Sequence, residues 1–219
     1  MILVGGALHA QSLRQISPSK IHQMPGISVE QYTKAADKDG EDSPILKNID
    51  TTIYDDLYSD RCSWYCGGTV DNITASSCHK PMGKFNYLAA NAHDFNHESV
   101  WATDGNGIGE SLTYTFAGSC PRVTTVKIIN GHVKTEKAWN SNCRVKRMKM
   151  YYNGKPYAIL NLKDSRTLQC FEVGTLGFND ANAQPWTLKF EIMEVYPPKN
   201  NPDADTVIAE LYFDGIDVH

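Results

Sequence analysis

The sequence predicts an all-β protein, an antiparallel sandwich or jelly roll, on three observations. Apolar and polar side chains alternate over several short segments, turn residues separate those segments at short intervals, and no amphipathic helix of three or more turns follows residue 62. In 110–116, Leu112, Tyr114 and Phe116 share one face; in 186–192, Trp186, Leu188, Phe190 and Ile192 oppose Thr187, Lys189 and Glu191. That period of two belongs to a strand with one face toward a core. Val207, Ala209, Leu211 and Phe213 repeat it, and further strands are expected at 122–129, 144–152, 155–162 and 167–173. Asn153-Gly154 falls between two of these and reads as a hairpin, since both residues tolerate positive φ; Asn130-Gly131 reads as a second such turn.

The N-terminal quarter has a different character. Residues 1–10, short and largely apolar and ending at Ala10, read as the remnant of a secretory signal. Residues 11–61 are polar and weakly periodic, with Pro18, Pro25, Pro44 and a charged stretch over 34–42, and read as an extended arm with short helical turns around 28–37 and 53–58. Residues 62–219 carry the strand series. A chain of 219 residues has ample length for a core of its own.

Composition excludes several classes. Four Trp, eleven Tyr and seven Phe exclude wholesale disorder. A net charge of −4 argues against the broad basic surface a nucleic-acid binder needs. No apolar run reaches the length of about eighteen residues that a membrane-spanning helix requires. The signal remnant implies a secreted, periplasmic or cell-surface protein, and in such a compartment Cys62, Cys66, Cys78, Cys120, Cys143 and Cys170 become disulfide candidates. Cys62 and Cys66 are close enough to bridge locally, helped by Gly67 and Gly68; the other pairings stay open. Zinc on Cys62, Cys66, Cys78 and His79 fits neither finger nor ribbon spacing.

The motifs that superficially suggest catalysis lack its geometry. His93 and His97 are four apart beside acids, but the order of residues differs from a zincin helix. The glycines at 105, 107 and 109 have no following Lys-Ser or Lys-Thr and no strand–helix unit around them. No Ser or Cys sits in a nucleophile elbow, so no catalytic activity is expected.

From residue 87 onward an ordered set of motifs appears: Ala90-Asn91-Ala92-His93-Asp94 with Ser99 and Trp101, Gly107-Ile108-Gly109-Glu110, Asn130-Gly131, 142–146, Asp164, Gln169 and Ile208-Ala209-Glu210-Leu211. With the segment 62–68 included, residues 62–219 resemble the bacterial NADase-type glycan-binding, or translocation, domain, a discoidin-like member of the galactose-binding fold. The resemblance implies a galactose-binding-like β-sandwich jelly roll behind the N-terminal arm, and a non-catalytic module whose partner is a glycan or cell-surface carbohydrate. The alternative is a secreted or surface module that uses the same scaffold to contact a protein partner.

The resemblance also implies site residues. Related jelly rolls hold a structural calcium ion, Ca2+, and the matching positions here are Asp94, Asn96, Ser99 and Glu210, with Phe95 where the pattern has Gly and Ser99 where it has Thr. Calcium accepts carbonyl and carboxylate oxygens alike, and Glu210 on an apolar strand would be costly without a partner. Sugar recognition on such folds uses an aromatic platform with polar neighbours, which points to Trp139 with Asn140, Asn142, Arg144 and His132; Trp64 and Tyr65 form a second candidate cluster.

Overall fold

The computed structural model describes residues 12–58 and 63–218. Eleven strands among them form two sheets. β1 (Arg14–Ile16), β3 (Asn72–Ala75), β5 (Ser111–Phe116), β7 (Arg144–Tyr152), β8 (Lys155–Asn161) and β10 (Trp186–Tyr196) make the first, in the order β1-β8-β7-β10-β5-β3. β2 (Lys20–Gln23), β4 (Trp101–Ala102), β6 (Val123–Asn130), β9 (Thr167–Leu176) and β11 (Val207–Gly215) make the second, in the order β2-β9-β6-β11-β4. The strands expected from alternation are all present. Between the sheets lies one core, built from inward residues such as Leu112, Tyr114, Phe116, Ile128, Met148, Phe171, Trp186, Phe190 and Phe213.

The arm does more than extend. β1 pairs in parallel with β8 and β2 pairs antiparallel with β9, so the N-terminal segment closes one edge of each sheet. After them in the chain come α1 (Val29–Asp39) and α2 (Thr52–Tyr58). A capping box starts α1: the Gln31 amide N–H donates to Ser28 Oγ at 3.2 Å and the Ser28 N–H donates to Gln31 Oε1 at 2.8 Å. Tyr32, Ile53, Tyr54 and Leu57 then form a second core with Val100, Ile129, Leu168, Val207, Ala209 and Tyr212. Lys127 fastens α2 to the sheet through Asp56 at 2.8 Å and also pairs with Asp214 at 3.1 Å. Seven consecutive residues of β11, Val207 to Phe213, are buried as a result. The run is apolar except at Glu210 because both faces of the strand are covered.

The two Asn-Gly pairs differ. Asn153 and Gly154, at φ 48° and 74°, close the β7–β8 hairpin between the paired residues Tyr152 and Lys155. Asn130-Gly131 instead ends β6 where the chain leaves one sheet for the other, and the next element is the two-turn α3 (Glu136–Ser141) before β7. Gly131 is needed there for two reasons: φ is 75°, and a Cβ would lie 2.7 Å from Arg144 Cγ and 2.9 Å from Trp139 Nε1.

Of the cysteines, Cys66, Cys78, Cys120, Cys143 and Cys170 are thiols among the described residues. The expected Cys62–Cys66 bridge involves Cys62, which lies outside the described residues, as does the signal-like segment 1–10.

Candidate functional site

Two places gather the predicted residues. The first is the loop 94–99 against β11. A 3-10 turn, Ala89–His93, delivers Asp94 to the sheet, and Phe95 follows at φ 57°, a left-handed conformation that glycine adopts more cheaply. Its ring offsets that cost by packing edge-on to Tyr65 at 4.9 Å and against Tyr212 at 6.0 Å. The loop then turns its polar atoms onto one spot. The Asn96 N–H lies 3.0 Å from Asp94 Oδ1 and 2.7 Å from Glu210 Oε1. Ser99 Oγ lies 2.6 Å from Asp94 Oδ2 and 2.8 Å from the Asn96 carbonyl, and its single proton can be donated to only one of these two acceptors at a time. The Asn96 side chain turns back to accept the Glu98 N–H at 3.2 Å, so the oxygen it offers the cluster is its main-chain carbonyl.

Glu210 is the unusual member. It is 0% exposed, and its Oε2 has no hydrogen-bond partner among the described residues. Burial, followed by the nearby Asp94 charge, pushes its carboxyl well above the ordinary 4.5, against the opposing pull of the Asn96 and Phe95 N–H groups. Asp94, the Asn96 carbonyl, Ser99 and Glu210 thus converge as hard oxygens. No group of three or more His, Cys, Asp or Glu side chains with metal-binding geometry forms among the described residues. His93 points Nδ1 to the Leu211 carbonyl at 2.8 Å, and His97 stacks on Tyr54 of α2 at 5.7 Å, so the two histidines serve different surroundings.

The second place is a cleft of about 830 Å³ lined by Trp139, Asn140, Arg144, Asp164 and the loop 197–201. Thr135 caps α3 by accepting the Ala138 N–H at 3.1 Å, which sets Trp139 on the cleft wall. Arg144 crosses the indole with its guanidinium 4.4 Å from the ring centroid. The same guanidinium makes two parallel bonds to Asp164, at 3.0 and 2.9 Å, and a third to the Asn142 carbonyl at 2.8 Å. Below it, the buried amide of Asn130 clamps Val145, donating to its carbonyl at 2.8 Å and accepting its N–H at 3.0 Å.

The predicted residues divide accordingly. Trp139, Asn140 and Arg144 share the cleft; Asn142 instead donates to the Ala138 carbonyl at 2.8 Å and secures the end of α3. His132 lines a separate cleft of about 530 Å³ with Asp94, Asn96 and Ser99. Trp64 and Tyr65 belong to the interior: Trp64 is 1% exposed and donates to the Pro121 carbonyl at 3.2 Å, and the Tyr65 hydroxyl accepts the Phe213 N–H at 2.9 Å. Asp164, marked in the sequence only as one of the family motifs and given no sugar role, and the 197–201 loop, which has no signal, line the Trp139 cleft as well.

Two stacked sheets with site-bearing loops at their ends define a discoidin-like, galactose-binding-like β-sandwich. The model of the NAD glycohydrolase translocation F5/8 type C domain matches residues 64–214, and the chain belongs to that family. The match begins after α2 and leaves β1, β2, α1 and α2 outside it. Among solved structures, a likeness of TM-score 0.51 at 12% identity links 86% of this chain with 19% of the CBM32-1, CBM32-2 and M60 catalytic domains of Clostridium perfringens ZmpB. The CpGH89CBM32-5 module of Clostridium perfringens, solved with GalNAc-β-1,3-galactose, gives 0.47 at 17% identity over 66% of this chain and 94% of its own. Chitosan-binding module 2 from Paenibacillus sp. IK-5, solved with chitotriose, gives 0.45 at 8% identity over 68% and 99%. No curated protein matches the chain.

Proposed function

We propose that this chain is an exported, non-catalytic module that binds carbohydrate in the Trp139 cleft and carries a structural calcium at the Asp94–Glu210 oxygens. The observation that carries the sugar assignment is the rigid pairing of an aromatic ring with a held carboxylate. An indole offers apolar area to the C–H face of a sugar, and Asp164, engaged by Arg144 on one lone pair of each oxygen, keeps further acceptor sites for hydroxyls. The stack of Arg144 on Trp139 fixes both groups before a ligand arrives, which lowers the entropy lost on binding. Asn140, Asn200 and Asn201 on the rim add neutral donors and acceptors suited to hydroxyls.

The calcium assignment rests on the orphaned Oε2 of Glu210. A buried carboxylate oxygen without a donor is costly, and a hard cation between it, Asp94, Ser99 and the Asn96 carbonyl removes that cost. Bound there, calcium would tie the 94–99 loop to β11 and supply charge compensation.

Titration calorimetry of the full chain with GalNAc-β-1,3-galactose and with chitotriose, alongside a glycan array, tests the sugar site. Binding that weakens at least tenfold in both Trp139→Ala and Asp164→Asn, with the melting temperature of Asp164→Asn within a few degrees of the parent, is the expected result. Glycan binding that survives both changes, or a protein captured where no glycan binds, overturns the assignment.

A further inference from the structure

The run Arg144–Lys149 holds four cations in six residues, Arg144, Lys146, Arg147 and Lys149, and only Arg144 lines the Trp139 cleft. β7, which carries the run, is an interior strand between β8 and β10. Met148 and Met150 point into the core, and Leu188 and Phe190 do the same from β10. Side chains alternate along a strand, so Arg147, Lys149, Tyr151, Lys189 and Glu191 stand on the opposite, outer face of the sheet. Register sets them side by side: Lys189 pairs with Tyr151, Glu191 with Lys149 and Glu194 with Arg147. On the other side of β10, Lys189 pairs with Thr113 and Thr187 with Thr115. The helices of the arm pack over the second sheet, whereas this face of the first is open, with Arg147, Lys149, Tyr151, Lys189 and Glu191 all partly exposed.

Tyr151 gathers charge on this face. Lys149 Nζ lies 5.0 Å and Lys189 Nζ 4.9 Å from its ring centroid, and the ring's quadrupole holds the two ammoniums near each other. The Tyr151 hydroxyl donates to Glu191 Oε2 at 3.1 Å, and the same oxygen takes Lys189 at 2.9 Å. Lys149 makes no ion pair among the described residues. Farther along the strands Glu194 takes Lys146 at 3.1 Å and Arg147 at 2.6 Å, and Lys146 Nζ lies 5.8 Å from the Tyr196 ring centroid. Four cations thus meet two carboxylates between residues 146 and 151 of β7 and their partners on β10. At the strand rise of about 3.3 Å per residue the stripe is about 17 Å long. Charges more than about 8 Å apart are largely screened at physiological ionic strength. The local excess of positive charge, rather than the −4 of the whole chain, therefore sets what the face attracts.

We infer that the outer face of β7 and β10 is a second binding surface, one that takes a linear acidic polysaccharide of the polyuronate class. Its carboxylates pair with Lys149, Lys189 and Lys146, and its hydroxyls meet Glu191, Glu194 and the threonines beside Lys189. None of the large exposed apolar side chains among the described residues lies on β7 or β10, so the face lacks both the apolar centre of a protein interface and the apolar side of a membrane-seated one. Glu191 and Glu194 interrupt the cations. That suits a polymer with hydroxyl donors between its charges and disfavours a nucleic acid, which carries a phosphate on every unit. The surface shares no residue with the Trp139 cleft and stands whether or not that cleft binds sugar.

The test is titration calorimetry of the full chain with de-esterified polygalacturonate, with its methyl-esterified counterpart and with an oligothymidylate. Polygalacturonate is expected to bind more tightly than either of the others, with an affinity that falls as salt is added. Lys149→Gln and Lys189→Gln should each weaken it by about tenfold, the fold-change of one lost hydrogen bond to a charged group. Glu191→Gln should tighten it, because Lys189 loses its carboxylate partner and a repelling charge leaves the face. These side chains reach solvent, so each variant should melt within a few degrees of the parent. Trp139→Ala should leave polygalacturonate binding unchanged, which separates a failure of this surface from a failure of the cleft. No binding of polygalacturonate, equal binding of the ester or of oligothymidylate, or binding that survives Lys149→Gln/Lys189→Gln overturns the inference.

Discussion

Replacing Glu210 by Gln separates the two consequences of its burial. The amide keeps an oxygen for the Asn96 N–H, now at 2.7 Å from Oε1, and puts an NH2 where the carboxylate has an oxygen without a donor, beside the Asp94 carboxylate. In the parent under chelation, the folded carboxyl holds its proton more tightly than the unfolded one, whose value is near 4.5. Between that value and the raised folded one, the folded state keeps a proton that the unfolded state has released, so stability falls as pH rises, by about 1.4 kcal/mol per unit at full effect. Calcium should cancel that loss by favouring the charged form. At about a hundred times its dissociation constant it adds about 2.7 kcal/mol. For a chain of this size that corresponds to about 5–11 °C in melting temperature. Calorimetric scans at pH 5 and pH 8, each with a chelator and with millimolar calcium, read all four corners. The parent should lose stability toward pH 8 under chelation and regain it with calcium; Glu210→Gln should melt higher than the parent at pH 8 under chelation and ignore calcium. Parallel pH dependence in parent and variant, or a parent that does not respond to calcium, refutes the reasoning.

Other consequences of the structure are directly measurable. Gly131→Ala forces a Cβ onto Arg144 and Trp139 at a positive φ and should cost about 2–4 kcal/mol in urea unfolding, whereas a midpoint like the parent's would show that the cleft floor yields freely. Ile53→Ala removes a fully buried side chain of α2 and should cost about 2–5 kcal/mol in the same single transition, which an unchanged midpoint would contradict. In the reduced protein at pH 8, iodoacetamide should label exposed Cys66 first and Cys170 only on unfolding, because burial pushes the Cys170 thiol up to about 11; early labelling of Cys170, read by peptide mass, would contradict its placement.

Much of this was legible before the chain was folded. Alternation located the strands after residue 100, because a sheet with one face on a core imposes a period of two on the sequence itself. The same alternation of Val207, Ala209, Leu211 and Phe213 located β11, where the structure buries both faces and Glu210 with them. The arm was harder to read. Pro18 and Pro25 and a weak period suggested an extended segment, and so it is over β1 and β2, but the apolar residues Tyr32, Ile53, Tyr54 and Leu57 are too sparse in sequence to announce a second core. They become one only against β6, β9 and β11. Trp64 and Tyr65 looked like an exposed aromatic pair beside two glycines; the Pro121 carbonyl and the Phe213 N–H that hold them inside come from distant strands.

The sequence by itself determined the strand periods, the β7–β8 turn, the family and the kinds of atom available for a cation or a sugar. These follow from local spacing and composition, which a chain carries whether folded or not. Tertiary structure decided which of those atoms meet: Glu210 with the 94–99 loop, Asp164 with Arg144 and Trp139, His132 with neither Trp139 nor Asn140. The physical reason is that burial and the absence of a donor, which give Glu210 its character, are properties of surroundings assembled from residues far apart in the chain, and only the pairing of strands across and between the two sheets brings those surroundings together.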